Sequence, residues 1–234
     1  MMKDELMSGI RKICPKELYE IGFASLSGLL SGSWSEYSYG ISLARKLDDR
    51  IIDEIKNGPT VAYYDLYNAV NDELNRKSDE IVSLCRRYGI NALAVKATVD
   101  EQELDGDYER TLRYPFSHKM VATRAGIGWI GKTDLLVTYR FGPRVRLASV
   151  LTVEPIAEPG EPIDKSYCGD CDLCVRSCPA RAATGTPWDI TVDRDLFYDP
   201  FACRRFARSI SARNIGREVS LCGICVSVCP RGMR

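Results

Sequence analysis

The chain has 234 residues, 45% of them hydrophobic and 27% charged, with Lys plus Arg equal to Asp plus Glu at 32 each. That balance suits one medium domain and a small one, built around a real core without disulfide staples. A formal net charge of zero at pH 7 gives no electrostatic reason to expect nucleic acid as a partner. Neither an apolar leader after Met1 nor a run near the roughly 18 apolar residues of a membrane span is found. A cytoplasmic protein with no membrane partner is therefore expected.

In chain order, residues 3–21 predict a helix with Leu6, Ile10 and Ile13 on one face, and Pro15 opens a second short helix. Ile21 to Leu30 reads as a strand ended by Ser31-Gly32-Ser33, and Tyr39 to Ala44 as a second strand. Leu47 to Lys56 has helical period and is stopped by Asn57-Gly58-Pro59. The longest helix is predicted over Val61–Tyr88, where Leu66, Val70, Leu74, Ile81, Leu84, Cys85 and Tyr88 keep one stripe and Gly89 ends it. Its Tyr63, Tyr64 and Tyr67 suit either a flat ligand or, as the simpler reading, amphipathic packing. Asn91 to Val99 reads as a buried strand, which gives strand–helix–strand order and an α/β (α+β) core. Asp100 to Asp107 is acidic and aperiodic and is expected to be a solvated loop. Ser117 can cap a short helix through Ala125, and strands are predicted over Leu135–Tyr139 and Val145–Val153 around the turn Phe141-Gly142-Pro143-Arg144. The Pro-rich stretch after Glu154 places the domain boundary: residues 1–157 form the first domain and 158–234 the second.

Between the short helix and the next strand lies Gly126-Ile-Gly128-Trp129-Ile-Gly131-Lys132-Thr133. It satisfies both a dinucleotide fingerprint and a Walker A pattern, but both mechanisms need strand, then loop, then helix. Here helix precedes and strand follows, so phosphate binding and an ATP-driven activator are disfavoured. Glycines at this density let a backbone approach a partner closely. Beside Trp129 they suit a large flat cofactor, or else a tight helix-to-strand connection with Trp129 in the core.

The strongest signal is at the C-terminus. Cys168-Gly-Asp-Cys171-Asp-Leu-Cys174-Val-Arg-Ser-Cys178-Pro179 is a C-x2-C-x2-C-x3-C-P run; Cys222-Gly-Ile-Cys225-Val-Ser-Val-Cys229-Pro230 closes the set, and Cys203 lies alone between. Eight thiols so arranged supply two 4Fe–4S clusters of the bacterial ferredoxin type. The cysteine before proline usually ligates the other cluster, so Cys168, Cys171, Cys174 and Cys229 are expected around one and Cys178, Cys203, Cys222 and Cys225 around the other. Zinc also uses C-x2-C, but gives no reason for the third cysteine of the run or for both Cys-Pro endings. Each cluster would carry about −2, and Arg204, Arg205, Arg208, Arg213 and Arg217 are expected to compensate that charge. Thiols committed to iron also suit a reducing compartment. Cys85, outside the set with Cys14, reads as a buried small hydrophobe.

The block Lys119-Met-Val-Ala-Thr-Arg124-Ala-Gly126-Ile-Gly128-Trp129-Ile-Gly131-Lys132, with Phe141-Gly142-Pro143 and Arg146-Leu-Ala-Ser-Val-Leu-Thr, resembles epoxyqueuosine reductase and its shorter relatives. The order of the eight cysteines is similar too. The resemblance implies a nitroreductase-like α/β core followed by a small dicluster domain, and an oxidoreductase. Single electrons from a flavodoxin- or ferredoxin-type donor would pass through the clusters to a bound cobalamin. It also implies that Gly126, Gly128, Trp129, Gly131 and Lys132 line the corrinoid. The family's substrate is the epoxyqueuosine base of tRNA. Two departures leave the substrate of this chain open: Leu112 to His118 holds no carboxylate where the family has its acid, and the sequence ends four residues after Pro230. A dicluster electron carrier without substrate chemistry is the alternative.

His118, the single histidine, sits close to the glycine block and has a near-neutral intrinsic pKa suited to proton donation. It is the catalytic candidate, with Tyr114 second; a structural hydrogen bond at a helix start is the plainer role.

Overall fold

The structure, a computed structural model, describes residues 2–99 and 103–232. Its α-helices are α1 (Met2–Ile13), α2 (Asp49–Glu54), α3 (Val61–Arg87), α4 (Gly106–Thr111), α5 (His118–Arg124), α6 (Leu173–Arg176), α7 (Arg194–Phe197), α8 (Pro200–Ile215) and α9 (Ile224–Ser227). Its strands are β1 (Tyr19–Ser25), β2 (Tyr39–Lys46), β3 (Ala92–Val95), β4 (Gly128–Ile130), β5 (Leu136–Thr138) and β6 (Val145–Thr152). A four-stranded sheet runs β1-β2-β6-β3, and β4 pairs with β5 separately. The β1–β2 and β3–β6 pairs are both antiparallel. The chain is thus mixed α+β.

Residues form two compact units that are not continuous in sequence. The first gathers 1–46, 70–127 and 146–163; the second gathers 47–69, 128–145 and 164–234. Segments 47–69 and 128–145, which precede the boundary expected near residue 157, therefore cluster with the cysteine-bearing tail.

In the first unit, Leu6 and Ile10 of α1 and Leu74, Ile81 and Cys85 of α3 are fully buried. A Cβ at Gly9 would come within 2.7 Å of Leu84 Cδ2, so the glycine lets α1 lie close on α3. The sheet contributes Ile41, Leu43, Ala148 and Val150, all buried, because β2 and β6 are its central strands. Helix α5 packs on β1 and β2. It starts where Ser117 Oγ accepts from the Met120 N–H, as expected of that cap. A half-buried polar knot holds β1, β2 and α3 together: Tyr19 Oη donates to Glu73 at 2.5 Å and Arg45 Nε donates to the same carboxylate at 2.9 Å.

Two local expectations need correcting. The acidic stretch is not loop throughout, since Asp105 caps α4 by accepting from the Tyr108 N–H; Asp100, Glu101 and Gln102 lie outside the described residues. The glycine block is not all loop either, because Gly128 to Ile130 is a strand. A Cβ at Gly128 would lie 2.4 Å from the Val137 carbonyl oxygen, so the glycine is what lets this strand close on β5.

In the second unit, Ile52, Ile55, Phe197, Ala207, Ile210 and Ile224 make the core. Helix α9 packs against α2, the turn after it, and α6. The fully buried Arg144 ties these parts together. Its guanidinium donates to Asp53 Oδ1 at 2.7 Å, to Asp49 Oδ1 at 3.2 Å and to the Ser227 carbonyl at 3.3 Å. Among the described residues no helix is long and apolar enough to cross a membrane.

Candidate metal centre

Both cysteine runs begin with the same turn. Gly169 and Gly223 follow the first cysteine of each run with φ of +56° and +84°, a left-handed geometry that side chains resist. One turn of helix comes next, α6 or α9, and then Cys178-Pro179 or Cys229-Pro230. Cys203 is presented by α8, whose first turn is capped by Asp199 accepting from the N–H groups of Phe201 and Ala202.

The thiols sort into two groups by the charges they feel. Cys229 is perturbed by Cys174, Cys168 and Cys171, and Cys174 by Cys168 and Cys171. Cys222 is perturbed by Cys203 and Cys178, and Cys225 by Cys222 and Cys203, with Cys174 a weaker neighbour. Burial, the first cause in every case, pushes Cys222 and Cys229 up to about 11 and raises Cys174, Cys203 and Cys225. Among the described residues no three His, Cys, Asp or Glu side chains already form a single-ion site. A cubane draws its thiolates toward corners a few ångströms apart.

Around the thiols stand donors that linear pattern did not reveal. Trp129 Nε1–H donates to Cys168 Sγ at 3.3 Å. Against the larger effect of burial, the Thr133 side chain lowers the thiol pKa values of Cys174 and Cys225, and Tyr198 lowers that of Cys203. Thr133 and Tyr198 sit next to no cysteine in sequence, so no spacing signals them. The glycine block is accordingly turned toward the cysteines. A Cβ at Gly131 would lie 3.7 Å from Cys168 Sγ. The Trp129 ring, 1% exposed, is enclosed by Tyr139 and Tyr167 at centroid distances of 5.3 and 5.6 Å, with the Arg231 guanidinium 5.6 Å from its centroid. A Cβ at Gly126 would meet the Glu161 carbonyl at 2.6 Å. Lys132 is buried and has no carboxylate partner among the described residues. Gly126, Gly128, Gly131 and Trp129 therefore lie against the protein's own atoms, and Lys132 is buried.

The tyrosine row on α3 is packing where it can be followed. Tyr63 is buried and its ring lies 2.9 Å from where a Cβ on Gly223 would be. The Arg217 guanidinium lies 5.1 Å from the Tyr64 centroid, so this arginine of the basic stretch stacks on a ring. Arg208 pairs with Glu218 at 3.0 Å. Cys14 and Cys85 are buried, and burial pushes their thiols up to about 12 and about 11.

In the first unit, His118 opens α5 with both ring nitrogens committed. Nδ1 is 2.9 Å from Ser149 Oγ and Nε2 is 2.9 Å from the Lys96 carbonyl. A carbonyl only accepts, so Nε2 carries the proton and Nδ1 accepts from the serine. Burial lowers the pKa to about 4, which keeps the ring neutral. His118 and Tyr114 both line a cavity of about 450 Å³, with Trp34, Tyr108, Phe116 and Lys96. Its aromatic wall is continuous: Trp34 lies 5.4 Å from Phe116 and 6.3 Å from Tyr114.

Residues 167–232 match the family described as the 4Fe-4S double cluster binding domain. An epoxyqueuosine reductase of Synechocystis sp. (strain ATCC 27184 / PCC 6803 / Kazusa) is 30% identical over 121 residues, 51% of this chain and 41% of that protein. The chain thus spans about two fifths of that relative's length. A crystal structure of epoxyqueuosine reductase with a tRNA-Tyr epoxyqueuosine-modified stem loop superposes with a TM-score of 0.60 at 20% identity, over 99% of this chain and 65% of that one. A reductive dehalogenase, whose structure suggests a mechanism for B12-dependent dehalogenation, superposes with a TM-score of 0.61 at 15% identity, over 92% and 30%. The chain therefore shares its fold with both and is similar in sequence to epoxyqueuosine reductases.

Proposed function

We propose that the protein is an iron–sulfur oxidoreductase resembling epoxyqueuosine reductase. Two 4Fe–4S clusters hold single electrons and deliver them to a bound cobalamin for reductive chemistry on a substrate. Cys168, Cys171, Cys174 and Cys229 hold one cluster, and Cys178, Cys203, Cys222 and Cys225 the other. The observation that carries this is the sorting of the thiols into these two groups within the segment that matches the double-cluster family.

The surroundings suit an anionic cluster. The Trp129 indole N–H reaches Cys168, and the charge of the buried Lys132, which has no carboxylate partner among the described residues, is of the sign a net-negative cluster balances. Buried thiols with raised pKa values bind poorly as thiols; coordination removes the proton and the penalty together.

Cobalamin enters from the B12-dependent relative and the epoxyqueuosine reductases that share the fold. When bound, a corrinoid supplies the low-valent metal chemistry that cleaves the substrate bond. Gly126, Gly128, Trp129, Gly131 and Lys132 are the positions that the resemblance in sequence assigns to the corrinoid's lining. The aromatic cavity of the first unit suits a flat substrate ring. Epoxyqueuosine in tRNA is the substrate class to test first, because a relative of this fold was solved with it. The electron donor is of the low-potential flavodoxin or ferredoxin type, and the protein works in the reducing cytoplasm.

Anaerobic reconstitution with iron, sulfide and added cobalamin tests the proposal. The visible spectrum of the corrinoid is expected to change once the clusters are reduced, and reduced holoprotein should convert epoxyqueuosine-containing tRNA. An unchanged corrinoid spectrum beside fully reducible clusters would mark the protein as an electron carrier instead.

A further inference from the structure

Beside the first cysteine run lies an exposed patch built on one buried ring. Trp129, 1% exposed, directs its indole N–H at Cys168 Sγ, 3.3 Å away. Tyr139 and Tyr167 pack edge-on against that ring at 5.3 and 5.6 Å, yet they are 56% and 43% exposed. Arg231 is exposed as well and holds its guanidinium 5.6 Å from the Trp129 centroid. The exposed Arg140 follows Tyr139, with its guanidinium 4.7 Å from the Phe141 centroid. Among the described cysteines only Cys171, three residues after Cys168, is exposed. All of these side chains belong to the second unit.

We propose that this patch is where an acidic flavodoxin-type carrier docks and delivers one electron at a time to the cluster of Cys168. The inference rests on the cluster assignment made under Proposed function and gives the donor its landing site. Electron transfer through protein slows steeply with distance, so a carrier must settle over a cluster that lies near the surface. The exposed Cys171, and the short path from Tyr139 and Tyr167 through Trp129 to Cys168, meet that need. A cluster of about −2 repels an acidic partner. Asp170, exposed beside Cys171, adds to the repulsion, while Asp172 is paired with Arg176 at 3.0 Å. Arg140 and Arg231 supply the opposite sign at the rings themselves, which an anionic partner needs in order to be drawn there. Two exposed tyrosine rings offer the flat apolar contact that suits the edge of a flavin. So few side chains fit the small, transient interfaces of redox partners. In the step itself the anionic flavin hydroquinone gives up one electron and becomes the neutral semiquinone, with no proton moved. The cubane goes from 2+ to 1+ and no bond breaks.

The test compares two reductants on anaerobically reconstituted full chain of matched iron and sulfide content. Dithionite is small and needs no landing site; a purified flavodoxin of strongly negative net charge, reduced to its hydroquinone, does. Stopped-flow absorption follows the loss of cluster colour and, with flavodoxin, the appearance of semiquinone. The flavodoxin rate of wild type is expected to fall as ionic strength rises. The ratio of flavodoxin rate to dithionite rate is expected to fall about tenfold in Arg140→Glu and to stay near wild type in Arg140→Lys. A flavodoxin rate indifferent to salt, or an unchanged ratio in Arg140→Glu, would overturn the inference and leave the clusters in place. Loss of flavodoxin-driven cluster reduction when cobalamin is added would also overturn it, since the rings would then belong to the corrinoid. An acidic ferredoxin that outpaces the flavodoxin would overturn the choice of carrier. A wild-type chain that takes up no iron and sulfide would instead overturn the cysteine assignment, and this inference with it.

Discussion

At His118 both ring nitrogens are engaged by neighbouring elements. Its Nε2–H is held by the Lys96 carbonyl and its Nδ1 by Ser149, so the ring links α5 to β6 and to the end of β3. The folded pKa, lowered to about 4, lies below the ordinary 6.5. A group that charges more readily when unfolded stabilises the fold fully above about pH 6.5 and loses that contribution as pH falls toward 4, up to about 3 kcal/mol. The unfolding midpoint of wild type should therefore drop between pH 7 and pH 4.5 by more than that of His118→Gln, whose amide can make the same two bonds without titrating. Equal drops would show that the imidazole does not titrate in this way. These two partners could not be read from the chain, because Ser149 and Lys96 lie 31 and 22 residues from His118.

At the scale of elements, the two cysteine turns are alike in sequence and unlike in surroundings. A Cβ at Gly223 would lie 2.4 Å from Ile55 Cδ1 and 2.9 Å from Tyr63 Cε1, whereas one at Gly169 meets nothing within 4 Å. Gly169→Ala then adds only the left-handed strain of about 1 kcal/mol, and Gly223→Ala adds a clash with the core. Iron analysis should find Gly169→Ala with about eight irons per chain and Gly223→Ala with about four, the cluster of Cys222 and Cys225 being lost. Arg144 is the other element-scale prop. Its partners Asp49 and Asp53 are half-exposed, so replacing it leaves solvated carboxylates rather than buried ones, and the loss is mainly packing and hydrogen bonds to Asp49, Asp53 and Ser227. Arg144→Met is expected to cost about 2–4 kcal/mol, seen as release of iron at lower denaturant concentration than wild type.

The same elements show what sequence conveys and what it withholds. Helix α3 ends at Arg87 within a residue of its expected end, because Gly89 and the apolar stripe are local signals. The cap at Ser117 was legible for the same reason. Cysteine spacing is a local signal of chemistry, and it led to the segment that matches the double-cluster family. Strand β4 was hidden, since Gly128-Trp129-Ile130 becomes a strand only through its pairing with Leu136 to Thr138. The facing of Trp129 toward Cys168, 39 residues away, is likewise a tertiary fact. Glycine density announced a close approach, and at Gly128 the approaching partner is the backbone of β5, as the reading of a tight connection with Trp129 in the core expects.

Taken whole, the molecule keeps its cysteine tail from being an appended module. Segments 47–69 and 128–145 from earlier in the chain belong to the same compact unit as residues 164–234, and they supply the ion-paired Arg144, the packing Tyr63, the donor Trp129 and the buried Thr133. Truncation at residue 158 would separate the cysteines from all four.

The central claim is that this unit holds two iron–sulfur cubanes. Chain purified without oxygen, or reconstituted with iron and sulfide, should contain about eight irons and eight labile sulfides per polypeptide, and no zinc. Stoichiometric zinc, or iron well below four per chain after reconstitution, would contradict it.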